Sequence, residues 1–300
     1  MKKDYEVIII GGSYAGLAAA MALGRALRSV LIIDSGKPCN RQTPHSHNFL
    51  TQDGETPAAI SAKAKEQVLK YPTVTFLEAK ATQGLKTDAG FEIITDANET
   101  FSAKKLLFAT GIKDIMPDID GFAECWGISV IHCPYCHGYE VKNLKTAILA
   151  NGDVAYHYCV LLTQWTKDLT VFTNGKTDFT QEQLSKLEYH NINVIETEVD
   201  SLTQTNGQLE SIVLKNGNAH NFAVMYSRVP FMQHSTIPQK LGCTIDENGL
   251  IAVDDWQKTN IPGIFAAADC TTLMRSVAGA VAAGTKSGAM INHEMTGEAF

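Results

Sequence analysis

The run His132-Cys133-Pro134-Tyr135-Cys136-His137 holds the densest reactive chemistry in this 300-residue sequence. Two residues between cysteines bring both sulfurs within reach of one disulfide, and such spacing can lower a thiol pKa until thiolate exists near neutral pH. One thiolate can then attack a substrate disulfide while the other resolves the mixed disulfide. His137 is placed to carry the proton that thiol exchange moves, because its unperturbed pKa lies near neutrality. Three readings compete. Cys-x-x-Cys-His is also the attachment signature of c-type haem, a chemistry of exported chains. Zinc could use His132, Cys133, Cys136 and His137, although four nearly consecutive ligands surround a tetrahedral ion poorly, and the expectation is no metal. Two unreactive buried cysteines are the plain alternative.

A second constellation suits a dinucleotide. Such a site needs a tight turn out of a strand, a helix N-terminus aimed at the pyrophosphate, and an acid on the ribose about 20 residues on. Gly11, Ser13 and Gly16 occupy the three turn positions, and Asp34 ends the next apolar run where that acid belongs. Serine replaces only the middle glycine, stays small and offers a hydroxyl to phosphate. A purely structural turn and a solvated aspartate are the bland readings; strand, turn, helix and acid together favour a nucleotide.

The elements that must position these groups can be read from composition and spacing. Residues 5–10 and 29–34 read as strands around a helix over 15–28, a βαβ opening. A helix over 57–70 follows, then short strands at 74–78, 91–95 and 105–109, and a linker over 112–121. From residue 145 the pattern restarts: strand 146–150, a turn at Asn151 and Gly152, helix 154–165 and strand 169–173. The tail reads as strands at 250–253 and 263–267 and a small-residue helix over 276–293, which returns to complete the first domain and leaves the middle inserted.

Composition narrows the functional classes. The length favours about two domains, and 45% hydrophobic with 19% charged residues fits chains that bury a core. A net charge of -7 without long basic runs argues against nucleic acid as a partner. No apolar run reaches the ~20 residues of a membrane span, and Asp4 and Glu6 spoil residues 15–27 as a signal peptide. The seven cysteines are an odd number, with Cys39, Cys125, Cys159, Cys243 and Cys270 scattered singly. That pattern implies a reducing, cytoplasmic setting with the single cysteines in the core. Cys270, beside Asp269, is a mild exception, and Cys125 is a candidate third redox thiol.

These residues together resemble the low-molecular-weight thioredoxin reductase family over nearly the whole chain. The runs Cys133 to Glu140 (CPYCHGYE) and His47 to Gly54 (HNFLTQDG) are most similar to its gliotoxin-reductase-like branch. The resemblance implies an α/β fold of two Rossmann-like, three-layer nucleotide-binding domains. Residues 1–115 and 242–300 would form a discontinuous FAD domain, residues 116–241 an inserted NAD(P)-like domain with the cysteine pair, and the chain a homodimer. Carried over by position, it implies FAD phosphates at Gly11, Ser13 and Gly16, its ribose at Asp34, and the flavin along Arg41 to Asn48. Thr110 and Gly111 would lie near the flavin edge, Asp269 on the ribityl chain, and Arg275 and Ser276 at the helix facing the pyrimidine. Cys136 would be the sulfur beside the flavin and Cys133 the one that attacks substrate, with His137 standing where thioredoxin reductases proper carry an acid.

The middle domain departs from the pattern where NADPH would bind. Its turn reads Ala150-Asn151-Gly152-Asp153, without the first glycine, and the next strand ends Thr173-Asn174-Gly175-Lys176, without the arginines a 2′-phosphate wants. The expected activity is an FAD-dependent disulfide oxidoreductase, passing electrons through Cys133 and Cys136 to a thioredoxin-like protein or a small disulfide, with NADPH or ferredoxin as donor. Two rivals stay open. A dithiol oxidase would use O₂ as acceptor and show dithiol-driven oxygen uptake. A non-catalytic redox-sensing flavoprotein would show no turnover with any donor and acceptor.

Overall fold

The structure, a computed structural model, describes residues 3–300 and resolves into two compact units. One comprises the chain up to Arg41, Asn48–Lys113 and Phe231–Phe300; the other comprises Gln42–His47 and Asp114–Pro230.

The first unit opens with β1 (Asp4–Ile10), whose side chains from Val7 to Ile10 are all buried, as suits a central parallel strand. It continues through α1 (Tyr14–Arg25), β2 (Val30–Asp34), α2 (Pro57–Val68), β3 (Val74–Glu78), β4 (Ala81–Thr87), β5 (Gly90–Thr95), β6 (Thr100–Phe108) and β7 (Ile112–Asp114). Strands order as β3-β2-β1-β6-β5-β4, parallel from β3 to β6 and antiparallel through β5 and β4. Alternation along β1 sends Val7 and Ile9 toward the helices, and Ile8 and Ile10 toward Phe91, Phe101 and Ile237 on the opposite face.

The second unit runs α3 (Phe122–Cys125), β8 (Val130–Ile131), α4 (Pro134–His137), β9 (Thr146–Leu149), α5 (Gly152–Leu162), β10 (Leu169–Phe172) and α6 (Gln181–Tyr189). There follow β11 (Asn193–Ile195), β12 (Val199–Thr205), β13 (Gln208–Leu214), β14 (Ala219–Asn221) and β15 (Val224–Ser227). A parallel sheet, β11-β10-β9-β15-β8, packs α5 and α6 on one face and the antiparallel β12-β13-β14 sheet on the other. The Asn206-Gly207 turn, with both residues at positive φ, closes the β12–β13 hairpin.

The chain returns to the first unit through β16 (Phe231–Gln233), α7 (Ile237–Lys240), β17 (Ile264–Ala266), a 3-10 turn (Ala268–Cys270) and α8 (Val277–Ala299). β17 adds to the first sheet beside β6. α8 lies against α1 so closely that a Cβ on Gly284 would overlap the Ala15 carbonyl, and one on Gly288 would sit 2.6 Å from that of Ala19. Lys105 anchors the far end of α8, donating to Glu294 at 2.7 Å and Glu298 at 2.5 Å.

Two expectations need correction. Residues 250–253 form no strand: Ile251 makes a single bridge to Ile245, and its N–H is taken by Cys270 O. α8 runs past residue 293 to Ala299, because Lys105 holds Glu294 and Glu298 on that extra turn and a half.

Candidate redox site

Cys133 and Cys136 form a disulfide, with Cα atoms 5.3 Å apart, across the single turn of α4. Pro134 starts that turn, where its missing N–H costs nothing, and Cys133 O accepts from both Cys136 N and His137 N at 3.2 Å. Aromatic side chains wall the segment. Trp126 stacks on His132 at 5.8 Å and donates to Asp114, Tyr158 OH donates to His132 O at 2.9 Å, and Trp165 meets the edge of Tyr135 at 5.7 Å. Burial pushes the Tyr158 hydroxyl up to about 12, so it stays a proton donor to that carbonyl. Both cysteines remain partly accessible.

His137 belongs to the same turn. Burial, and then the electrostatic influence of His47, hold it below its ordinary value, while Glu140 pulls the other way. It is thus a neutral imidazole at neutral pH, able to accept a proton from a thiol. His47 Nε2 lies 3.6 Å from Glu140 Oε1, so the segment Gln42–His47 brings a second imidazole to the cysteine-bearing unit. No sequence spacing foretold that neighbour. Among the described residues no three His, Cys, Asp or Glu side chains gather as metal ligands would.

The first unit brings most of the remaining predicted residues to the top of its sheet. Gly11 has φ 107°, and a Cβ there would overlap Ala109 O; Gly16 is packed against Gly11 O in the same way. Gly12, which the motif leaves free, is as constrained, since its Cβ would lie 2.7 Å from the Phe76 ring and 2.8 Å from Asp34 Cβ. Its N–H donates to Asp34 Oδ1 at 2.9 Å, and Gly36 N donates to Oδ2 at 3.0 Å. The doubled glycine was the available signal. Ser13 caps α1 without a side-chain bond, and the first turn of α1 holds no acid, which leaves its amides facing outward for an anion.

Thr110 and Gly111 follow β6 directly beside Gly11, with Gly111 at φ 62°. Asp269 Oδ2 lies 3.6 Å from Arg275 Nε and accepts from Cys39 Sγ at 3.7 Å. Cys39 is therefore half-buried at this edge rather than a core residue, whereas Cys125, Cys159, Cys243 and Cys270 are buried. Ser276 caps α8 by accepting from Gly279 N at 3.0 Å. Arg41 and Asn48 are exposed and tied to their own segments, Arg41 Nη1 to Pro38 O at 3.1 Å and Asn48 N to Asp53 at 2.7 Å.

An FAD fits this cradle. The glycines clear space above β1, α1 presents uncapped amides, and each Asp34 oxygen keeps a lone pair for a ribose hydroxyl beyond the one its backbone partner uses. The corresponding turn of the second unit does not fit a pyridine dinucleotide. Asn151 caps α5 with its own side chain, and Asp153 lies in the first turn.

Residues 5–284 match the pyridine nucleotide-disulphide oxidoreductases. Thioredoxin reductase tcpT of Claviceps purpurea is 30% identical over 303 residues, spanning 97% of this chain and 94% of its own. The crystal structure of TrxB from Bacillus anthracis superposes with a TM-score of 0.94 at 31% identity, covering 99% of this chain and 100% of that one. An oxidoreductase from Agrobacterium tumefaciens superposes with a TM-score of 0.92 at 35% identity, covering 98% of this chain and 99% of that one. The chain belongs to the pyridine nucleotide-disulphide oxidoreductase family, as a thioredoxin-reductase-like oxidoreductase built on two Rossmann-like units.

Proposed function

We propose that the protein is an FAD-dependent disulfide oxidoreductase in which Cys133 and Cys136 exchange electrons with a disulfide or dithiol substrate. The observation that carries the reading is the disulfide across α4 with a neutral imidazole, His137, on the same turn. FAD would be held by Gly11, Ser13, Gly16, Asp34, Arg41, Asn48, Thr110, Gly111, Asp269, Arg275 and Ser276. Bound there, it supplies a two-electron redox centre.

The protein's own groups do the rest. The α1 amides take the pyrophosphate and Asp34 a ribose hydroxyl. In the reducing direction, His137 accepts the proton of the Cys133 thiol, the Cys133 thiolate attacks one sulfur of the substrate disulfide, and the other sulfur leaves as thiolate. That first thiolate takes the proton from His137; Cys136 gives its own proton to His137 and attacks Cys133, re-forming the internal disulfide and releasing the second substrate thiolate, to which His137 returns the proton. The thioredoxin reductases among the relatives support a thioredoxin-like protein or a small disulfide as substrate; a homodimer in the cytoplasm is proposed as the working form. The candidate donors in this direction are ferredoxin and, against the poor fit at the β9–α5 turn, a pyridine nucleotide. The reverse reaction, dithiol oxidation with O₂ as acceptor, is favoured by one observation, the side-chain-capped and acidic opening of α5.

The test is an anaerobic reduction in which the absorbance of the purified protein is followed as NADPH, NADH, reduced ferredoxin and a dithiol are added in turn. Bleaching of a flavin spectrum by one of them is the expected result. A colourless protein that FAD cannot reconstitute, or a Cys136→Ser variant with undiminished disulfide turnover, would overturn the reading.

A further inference from the structure

Each unit contains a parallel βαβ with a helix opening above its sheet, and the two openings are built in opposite ways. Ser13 leaves the first turn of α1 without a side-chain cap and without an acid. At α5 the chain has filled the same position with itself. Asn151 Oδ1 accepts from Gly152 N at 2.8 Å and from Asp178 N at 3.0 Å, while Asn151 Nδ2 donates to Lys176 O at 2.9 Å. One amide side chain thus ties the β9–α5 turn to the segment that follows β10. Those are the two walls between which a Rossmann crevice receives the adenosine half of a dinucleotide.

The surrounding charges work in the same direction. Asp153 stands in the first turn of α5 and accepts from Gln183 at 2.8 Å. Asp178 sits against Gly152, where an added Cβ would meet its own at 3.5 Å. Glu196 accepts from Thr177 N at 2.9 Å, which secures the loop from its other side. Lys176 is the basic residue of this loop, and its carbonyl is already committed to Asn151. A pyrophosphate placed here would have to break the Asn151 clasp and then sit among carboxylates, in a position that normally offers free amides. The loop that follows β10, residues 173–177, carries no guanidinium for a 2′-phosphate.

We infer that the second unit excludes pyridine dinucleotides, with Asn151 and its bonds to Gly152, Lys176 and Asp178 as the excluding element. NADPH and NADH do not bind at the β9–α5 turn, and the enzyme exchanges electrons with its surroundings without a nicotinamide held there. This deepens the proposed function by narrowing its donor, and it rests on that reading only in taking the protein to be a redox enzyme.

Direct binding tests it. NADPH and NADH are titrated into the purified protein by calorimetry and by saturation-transfer NMR, and neither gives saturable binding up to about 1 mM. Saturable binding of either nucleotide below that concentration overturns the inference. Hydrogen exchange on the native protein reads the clasp independently. The Gly152 and Asp178 amides are expected to be protected, and fast exchange at both would remove the clasp as the cause. An Asn151→Gly, Asp178→Asn double variant is expected to gain at least tenfold in affinity for NADH, and an unchanged affinity would overturn the role of Asn151. These measurements need neither flavin nor turnover, so their failure is distinct from failure of the anaerobic reduction.

Discussion

His47 Nε2 stands 3.6 Å from Glu140 Oε1, so a residue of the short 42–47 segment is anchored beside the turn that carries the cysteine pair. Both partners act on His137, which burial and then His47 hold below its ordinary 6.5 while Glu140 opposes them. His47→Gln removes the electrostatic influence that lowers the His137 pKa, and so raises it; Glu140→Gln removes the one that raises it, and so lowers it. NMR titration of the His137 ring reads both shifts, and curves identical to the native one would exclude His47 and Glu140 from the site's electrostatics. The stability sign follows from the same depression. His137 contributes stability above pH 6.5 that is lost as pH falls through its folded value, and His137→Asn is expected to remove that slope from urea unfolding measured across this range.

Lys105 carries a second electrostatic prediction. Burial alone would lower it, but its bonds to Glu294 and Glu298 outweigh this and raise it above 10.5. Burial would raise Glu294, yet its bonds to Lys105 and Lys258 outweigh that and bring it below 4.5. Lys105→Met should cost about 2 kcal/mol, less than the ~3–5 of a fully buried pair because the Glu298 side chain is 57% exposed. Glu294 contributes above pH 4.5 and loses its contribution as pH falls through its lowered value; Lys105 contributes below pH 10.5 and loses it as pH rises through its raised one. The stability difference between native and variant is therefore flat between those limits and shrinks outside them, as chemical denaturation at several pH values will show.

The glycine turn makes a third prediction. Gly11→Ala must hold a side chain at φ 107° against the Ala109 carbonyl, and an unfolding cost of about 2–4 kcal/mol is expected. The variant is also expected to purify with less flavin than the native protein, read as the ratio of visible to 280 nm absorbance. Native flavin content with native stability would refute the close approach.

Thiol chemistry supplies the fourth. Burial pushes the Cys159 thiol up to about 12 and that of Cys270 up to about 11, and raises Cys243 and Cys125 as well. After mild reduction, iodoacetamide at neutral pH should label Cys133 and Cys136 while these four stay unmodified, because only thiolate reacts. Peptide mass spectrometry settles it, and labelling of Cys159 or Cys270 in the folded protein would contradict their burial.

Much of the frame was legible because it depends on short-range regularities. The β-branched run before Gly11, the small residues after it and Asp34 at the next strand's end announce a βαβ unit, and Cys133-x-x-Cys136 announces its own chemistry. What escaped was made by distant residues. Asp34 is held by Gly12, Cys39 by Asp269, and Glu140 by His47, and none of these pairings leaves a periodic trace. Residues 250–253 read as a strand because they are apolar, but their backbone bonds are split between the turn at Cys270, which takes the Ile251 N–H, and residues Thr244 and Asp246, which pair with Ala252 and Leu250. The β12–β13 hairpin was the avoidable omission, since Asn206-Gly207 between alternating apolar residues is a strong turn signal.

The seam where Gly284 and Gly288 meet Ala15 and Ala19 also sets a timetable for synthesis. Helix α1 leaves the ribosome long before α8, the surface that covers it. Everything needed by the unit between Asp114 and Pro230 has already been translated when α8 emerges. The unit encoded between α1 and α8 can therefore mature first, while the one encoded around it waits with a greasy flank uncovered until α8 arrives.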